Sequence, residues 1–250
     1  MVKRVFGLVA LLVLGTVAGW GYTIDLLDPS YSGRIWNTGW TTDGTWGSND
    51  QPDGHYTWVQ WTNATRTTQY ASGTAYIIND SSFPFPYWRS NITNVAAWVS
   101  TGINAPNIGG EGYFSYYTTF MLPTSYPGWN ITLNVSFWAD NRPEAIKIYS
   151  GSTELASVST NYTGILGHRS TYGGGPHTLS VLGLAPGTYT ICFDTYNAKG
   201  SRRNPTGLLV RFNEATALGV PEPSTYALMG TVGLALYLFR RRKKATHTQV

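Results

Sequence analysis

The feature that most constrains the fold is a strict alternation of apolar and polar residues over Asn130–Ala139. A period of two places alternate residues on opposite faces of a β-strand, so that one face can turn to a core and the other to solvent. The apolar series is Ile131, Leu133, Val135 and Phe137, and the other series is Thr132, Asn134, Ser136 and Trp138. Gly187–Asp194 repeats the pattern. The chain is therefore predicted to contain half-buried strands.

Further segments have the same β-branched and aromatic character and are bounded by Gly, Pro, Asn or Ser, the residues that favour turns. They are Tyr56–Thr62, Thr74–Ile78, Gly112–Leu122, Ala145–Tyr149, Thr178–Leu182 and Leu208–Phe212. The chain has 10 Trp and 17 Tyr, and little of it has helical periodicity. Eight or more short strands of this kind predict an all-β, two-sheet antiparallel jelly-roll sandwich, flanked by an N-terminal signal helix and a C-terminal hydrophobic helix.

The N-terminus has the order of a secretory signal peptide. Lys3 and Arg4 precede an apolar run over Val5–Val17, and small residues follow at Ala18, Gly19 and Gly21. This order of charged, apolar and small residues predicts export through the secretion translocon and removal of residues 1–21 by signal peptidase.

The C-terminus combines a proline-rich motif, an apolar stretch and a basic cluster. The motif is Pro221-Glu222-Pro223, the stretch is Tyr226–Phe239, and the cluster includes Arg240, Arg241 and Arg242. Prolines hold the motif extended and accessible. The stretch predicts a helix of about 20 Å, shorter than the hydrocarbon core of about 30 Å, but long basic side chains can reach past its end. The cations are expected on the cytoplasmic side of the membrane.

This tail resembles the PEP-CTERM sorting signal, which has these three elements in this order. The resemblance implies recognition by an exosortase that removes the tail near Pro-Glu-Pro and releases the protein to the cell surface or the medium. A permanent membrane anchor is the alternative. The expected organisation is a signal peptide (1–21), a sandwich (22–216), an extended linker (217–225), a hydrophobic helix with its basic cluster (226–244) and a disordered tail (245–250).

The body resembles galactose-binding-like jelly-roll domains in the order of several short motifs. These are Tyr56-Thr57-Trp58-Val59, Thr74–Ile78, Trp88, Ala97-Trp98-Val99, Tyr117–Pro123, Phe137–Asn141, Leu182–Gly187 and Asn204–Leu208. The resemblance covers about residues 25–215 and implies a β-sandwich similar to carbohydrate-binding modules.

Charge and motifs argue against two classes of function. Residues 22–221 carry ten Lys and Arg against twelve Asp and Glu, so the body has no basic excess that would favour nucleic acid. The sequence has no Gly-x-Ser-x-Gly, His-Glu-x-x-His or P-loop motif, and a non-catalytic protein is therefore expected. A glycan-active enzyme that uses paired carboxylates is the alternative, because such pairs meet in space rather than in sequence.

Two sequence clusters are candidate glycan sites, because sugars are bound by aromatic platforms together with hydrogen-bonding side chains. The first cluster is Trp138 with Asp140, Asn141 and Arg142, and the second is Trp88-Arg89. The alternative is that both tryptophans fill the core and that Asp140-Asn141 forms a turn.

The loop at 43–53 is a candidate calcium site. Asp43, Asn49, Asp50 and Asp53 offer hard oxygen ligands in a Gly-rich segment, although without EF-hand spacing. A solvated acidic loop is the alternative.

These features lead to two functional hypotheses. The first is an exported, non-catalytic protein that binds polysaccharide. The second is a structural surface or biofilm-matrix protein without a specific ligand.

Overall fold

The computed structural model describes residues 22–78, 90–102, 111–160, 172–198, 206–221 and 230–237. Their strands are β1 (Thr23–Asp25), β2 (Pro52–Trp61), β3 (Gln69–Ile78), β4 (Trp98–Ser100), β5 (Gly112–Leu122), β6 (Gly128–Asp140), β7 (Arg142–Ser150), β8 (Thr153–Ser159), β9 (Tyr172–Leu184), β10 (Gly187–Asn197) and β11 (Gly207–Val220). The eight predicted strands are all present. Three shorter ones, β1, β4 and β8, add to them.

The strands pair antiparallel in the order β8-β7-β10-β5-β2-β3-β4-β11-β6-β9, and β1 adds to β11. The two ends of this path, β8 and β9, contact each other, so the sheet folds over into a nearly closed sandwich. β8, β7, β10, β5 and β2 form one layer, β4, β11, β6, β9 and β1 form the other, and β3 connects the two. The all-β antiparallel sandwich predicted from the sequence is confirmed.

Aromatic rings from both layers meet in the core. Phe193 of β10 lies 5.4 Å from Phe137 of β6 and 6.2 Å from Phe212 of β11, measured between ring centroids. All three side chains are buried, and their tilted and edge-on geometries suit the quadrupoles of the rings. The alternation predicted for β6 is confirmed, since its apolar series is buried and its polar series is half-buried.

The sandwich extends further along the chain than the sequence suggested. β11 continues through Val220, so residues 217–220 belong to the sheet although a linker was expected from residue 217. The described part of the C-terminal tail forms one helix, α1, at 230–237. No helix among the described residues has the length and apolar character needed to cross a membrane. The predicted signal peptide, residues 1–21, and the basic cluster at 240–244 lie outside the described residues.

Candidate functional site

Trp138 lies on the outer face of the layer that contains β6 and β11. It is half-buried and packs against a small apolar cluster of Ile78, Ala96, Trp98 and Leu209, which is separate from the main core. Trp98 is fully buried in this cluster. Part of the Trp138 ring is therefore used for packing, and the rest remains exposed on this face.

Asp140 and Asn141 are engaged in the connection between β6 and β7. Asp140 is only 8% exposed, and its Oδ1 accepts a hydrogen bond of 2.6 Å from Asn141 Nδ2. Asn141 Oδ1 accepts another from the backbone N–H of Ala198, also at 2.6 Å. These side chains join the ends of β6 and β10, so much of their hydrogen-bonding capacity is used within the protein.

Arg142 opens β7, which belongs to the other layer. Its guanidinium lies 4.9 Å from the ring centroid of Tyr196 and forms an ion pair with Glu144. The topology therefore separates the predicted cluster, because Trp138 and Arg142 are on strands of different layers. The second predicted cluster, Trp88 and Arg89, lies outside the described residues.

The outer face of β2, β5, β10 and β7 brings together a different set of side chains, here called the aromatic–ionic face. Strand register aligns Trp61 with Tyr113, Tyr113 with Tyr196, and Tyr196 with Arg142. The rings of Tyr113 and Tyr196 are 4.9 Å apart. All four side chains are half-buried, so they form one partly exposed row across four strands. The face also includes Arg66, Glu144, Lys147 and Asp194.

Ion pairs link these last four residues beside the aromatic row. Arg66 contacts Glu144 at 2.5 Å and Asp194 at 3.0 Å, and Lys147 contacts Asp194 at 2.9 Å. Asp194 is 2% exposed and also accepts a hydrogen bond of 2.5 Å from Ser115. Arg66 comes from the β2–β3 loop and lies over the Tyr113 ring at 5.3 Å. The network thereby holds that loop against the face.

The protonation states on this face follow from burial and from Asp194. Burial lowers the pKa of Lys147, but the hydrogen bond and negative charge of Asp194 outweigh burial, so that the pKa is raised. Burial raises the pKa of the Tyr117 and Tyr149 hydroxyls, which lie on the same face. At neutral pH the face therefore presents the Lys147 ammonium and the Tyr117 and Tyr149 phenols next to aromatic rings. Such a set can stack on sugar C–H faces and hydrogen-bond to hydroxyl groups.

A second aromatic cluster joins the segment between β1 and β2 to His55 of β2. The Trp36 ring stacks on His55 at 4.0 Å, and Arg34 lies 3.5 Å from the ring centroid of Trp36. Burial lowers the pKa of His55 to about 4, against the effect of its hydrogen bond with the Thr41 carbonyl. His55 and Arg34 both contact the Trp36 ring. This ring is therefore less available as a sugar platform than the rings on the aromatic–ionic face.

The predicted calcium ligands Asp53 and Asp43 accept local hydrogen bonds. Asp53 is 1% exposed, and its two oxygens accept backbone N–H groups of Gly39, His55 and Tyr56. Burial raises the pKa of Asp53 to about 7, opposed by these hydrogen bonds. Asp43 is exposed and accepts hydrogen bonds from Thr41 and Thr45.

The other two ligands, Asn49 and Asp50, are exposed, and Asp50 has a left-handed backbone with φ of 63°. Within the described ranges, no group of three or more His, Cys, Asp and Glu side chains is placed to hold a metal ion. Calcium binding by this loop stays a prediction.

Trp61, Tyr113 and Tyr196 were not among the residues predicted from the sequence. They are 52 and 83 residues apart along the chain, and only the pairing of β2, β5 and β10 brings them into one row. Each lies on the outer side of its strand, and that alternation was the one available signal. Nothing in the sequence indicates which strands are neighbours.

A family model for the PEP-CTERM protein-sorting motif matches residues 219–243. The chain carries a PEP-CTERM sorting motif. This confirms the prediction made from Pro221-Glu222-Pro223 and the residues that follow. The motif implies an exported, cell-surface-directed protein that is processed by an exosortase.

Several solved structures are similar to this chain at low identity. The Stig cyclase FisC from Fischerella sp. TAU is 14% identical, with 80% of this chain and 100% of that chain covered and a TM-score of 0.36. The K3 cleaved adhesin domain of Lys-gingipain from Porphyromonas gingivalis W83 is 11% identical, with 80% and 91% covered and a TM-score of 0.31.

The CBM36-1 domain of a multidomain xylanase from the hindgut metagenome of Trinervitermes trinervoides is 14% identical, with 67% and 98% covered and a TM-score of 0.25. Comparison with curated proteins found no match.

Proposed function

We propose that this is an exported, non-catalytic protein that binds polysaccharide through the aromatic–ionic face. The observation that carries the proposal is the row of Trp61, Tyr113, Tyr196 and Arg142 at one level across four neighbouring strands. A row of half-buried rings ending in a guanidinium matches the repeating apolar faces and hydroxyl edges of a sugar chain.

The ion pairs made by the acidic side chains of this face support a binding role over catalysis. Asp194 is held by Arg66 and Lys147, and Glu144 by Arg66 and Arg142. Carboxylates held in this way fix the position of the cations and rings around them. General acid–base catalysis instead needs a carboxyl group free to exchange a proton with substrate.

We further propose the route to the surface. Residues 1–21 direct export through the translocon and are removed by signal peptidase. The apolar stretch 226–239 anchors the precursor transiently in the cytoplasmic membrane until the exosortase cleaves near Pro-Glu-Pro. The cell's own exopolysaccharide is the polysaccharide that a protein processed in this way meets first.

A structural surface protein without a specific ligand is the second candidate. The observation that favours it is that the charged groups of the aromatic–ionic face satisfy one another. In that case the network stabilises the sandwich and the aromatic row has no ligand.

Glycan-array binding and polysaccharide pull-down with residues 22–221 distinguish the two candidates, because this fragment retains the whole of β11. The binding hypothesis predicts reproducible capture by one class of glycan. A folded fragment that binds none would leave the structural role. Repeating the assay in millimolar calcium and in chelator tests the loop at 43–53, since a calcium-bound loop predicts a higher melting temperature with calcium.

A further inference from the structure

The last strand of the sandwich runs into the sorting motif without a linker. The motif begins at residue 219, and β11 continues to Val220. Gly219 pairs with Trp129 and Val220 with Gly128 of β6. The first two residues of the motif are therefore part of the sheet, and Pro221 follows directly.

The N-terminal segment holds the same stretch of β11 from its other edge. Thr23 pairs with Leu218, Ile24 with Ala217 and Asp25 with Thr216. The N–H of Gly219 also donates to the carbonyl of Tyr22 at 2.8 Å. Residues 216–219 thus lie between β1 and β6, and the residue after the predicted signal peptide is bonded to the first residue of the sorting motif.

Aromatic side chains close over Gly219. A Cβ at this position would lie 2.6 Å from the ring of Tyr126, so the glycine allows the ring to pack against the backbone. Tyr126 stacks with Tyr22 at 6.3 Å and meets Trp129 edge-on at 5.3 Å. Tyr22 and Tyr126 therefore add side-chain contacts to the backbone pairing at this point.

We propose that β1 and Tyr126 are positioning elements for exosortase cleavage, because they control how readily the chain ahead of Pro221 leaves the sheet. A processing enzyme binds several residues of its substrate in extended form, and residues paired on both edges are not available to it. Cleavage of a transiently opened segment follows the population of the open state. β1 is three residues long and, among the described strands, pairs with β11 alone, so its fraying is the local opening that frees one edge of residues 216–219.

A disulfide lock tests this directly in the full-length precursor, expressed in cells that carry an exosortase. The bonds at Tyr22–Gly219 and Leu26–Ala215 make Thr23 and Leu218 a non-hydrogen-bonded pair, whose side chains approach closely. Both side chains are exposed, and neither lies in the matched motif. The double variant Thr23→Cys/Leu218→Cys is followed by pulse-chase as the ratio of precursor to processed protein.

The oxidised lock is expected to slow processing roughly fivefold or more, and reductant is expected to restore the wild-type rate. Each single cysteine variant serves as a control and should process normally. Equal rates for the oxidised and reduced forms would overturn the proposal. Cys192 is buried, so it does not compete for the disulfide.

Weakening the contacts of Tyr126 should have the opposite effect on processing. Tyr126→Ala removes contacts to Tyr22 and Gly219, and is expected to speed processing severalfold. Tyr149→Ala is the matched control, because it truncates another half-buried tyrosine far along the sheet from the motif. If both variants speed processing equally, general destabilisation explains the effect and the proposal is wrong.

Discussion

The two outer faces of the sandwich differ in chemistry although the strands beneath them share one core. The aromatic–ionic face on β2, β5, β10 and β7 joins rings and paired charges. The face on β9, β6 and β11, here called the amide–hydroxyl face, carries Asn130, Thr132, Asn134, Ser136, Ser180 and Asn213. On it, Asn213 donates to Asn134 Oδ1 and to Ser136 Oγ, both at 3.0 Å.

Under the proposed function, this difference separates the residues that stabilise the fold from those that bind a ligand. Neutral side-chain hydrogen bonds at a surface contribute about 1 kcal/mol or less each. On the aromatic–ionic face, by contrast, the Asp194 carboxylate is buried and large rings stay partly exposed. Burying a carboxylate is costly unless its cationic partners are well placed. Among the described residues, the buried carboxylate with its paired cations lies on the aromatic–ionic face.

Replacing Asp194 is expected to have the largest effect on stability. Asp194→Asn keeps the size of the side chain but leaves Arg66 and Lys147 facing a neutral group. The free energy of unfolding of residues 22–221 should fall by about 3 kcal/mol. Urea denaturation measures the change.

The matched control on the other face is Asn134→Ala. It removes one hydrogen bond with Asn213 at an exposed site and should cost less than about 0.5 kcal/mol. Similar losses for the two variants would contradict the difference drawn between the faces.

Trp138→Ala should have an intermediate effect on the free energy of unfolding. The ring packs against Ile78, Trp98 and Leu209, and its removal leaves part of that cluster exposed. Because the ring is only half-buried, we expect a loss of about 2 kcal/mol, below the range for fully buried tryptophan. Thermal or urea unfolding checks this value. An unchanged stability would contradict the packing role given to this ring.

The smallest expected effect is a change in the pH dependence of stability. Burial raises the pKa of Tyr149 above its usual 10.0 in the folded state. Above about pH 10 the unfolded chain therefore loses this proton more readily, and stability falls as the pH rises. Tyr149→Phe has no such proton, so its stability relative to wild type should rise between pH 8 and pH 10.5 by less than about 1 kcal/mol. Urea denaturation at pH 8 and pH 10.5 would show no growing difference if the prediction is wrong.

Sequence patterns predicted the positions of the strands better than they predicted which strands are neighbours in the sheet. Alternation located β6 and β10 because their inner sides are continuously apolar. β1, β4 and β8 were missed because two are three residues long and the third, Thr153–Ser159, is mostly exposed and lacks an apolar series.

The candidate site depended on register, which local sequence does not encode. Trp138 and Arg142 are four residues apart in sequence, but β6 and β7 belong to different layers. Trp61 and Tyr196 are far apart in sequence, but Tyr113 of β5 lies between them in the sheet. The sorting tail was the opposite case, because its recognition rests on residue order within one short segment, and the match to residues 219–243 confirms it.

The measurement that tests the central claim most directly compares Trp61→Ala with Trp138→Ala. Both remove a half-buried tryptophan from an outer face, but only Trp61 belongs to the aromatic–ionic face. The affinity of each folded variant for a polysaccharide that binds residues 22–221 is measured by affinity electrophoresis and calorimetry. We predict that Trp61→Ala weakens binding about tenfold or more, as expected for loss of a stacking platform, and that Trp138→Ala binds as wild type. Normal binding by Trp61→Ala together with loss of binding by Trp138→Ala would place the site on the opposite face and contradict the account.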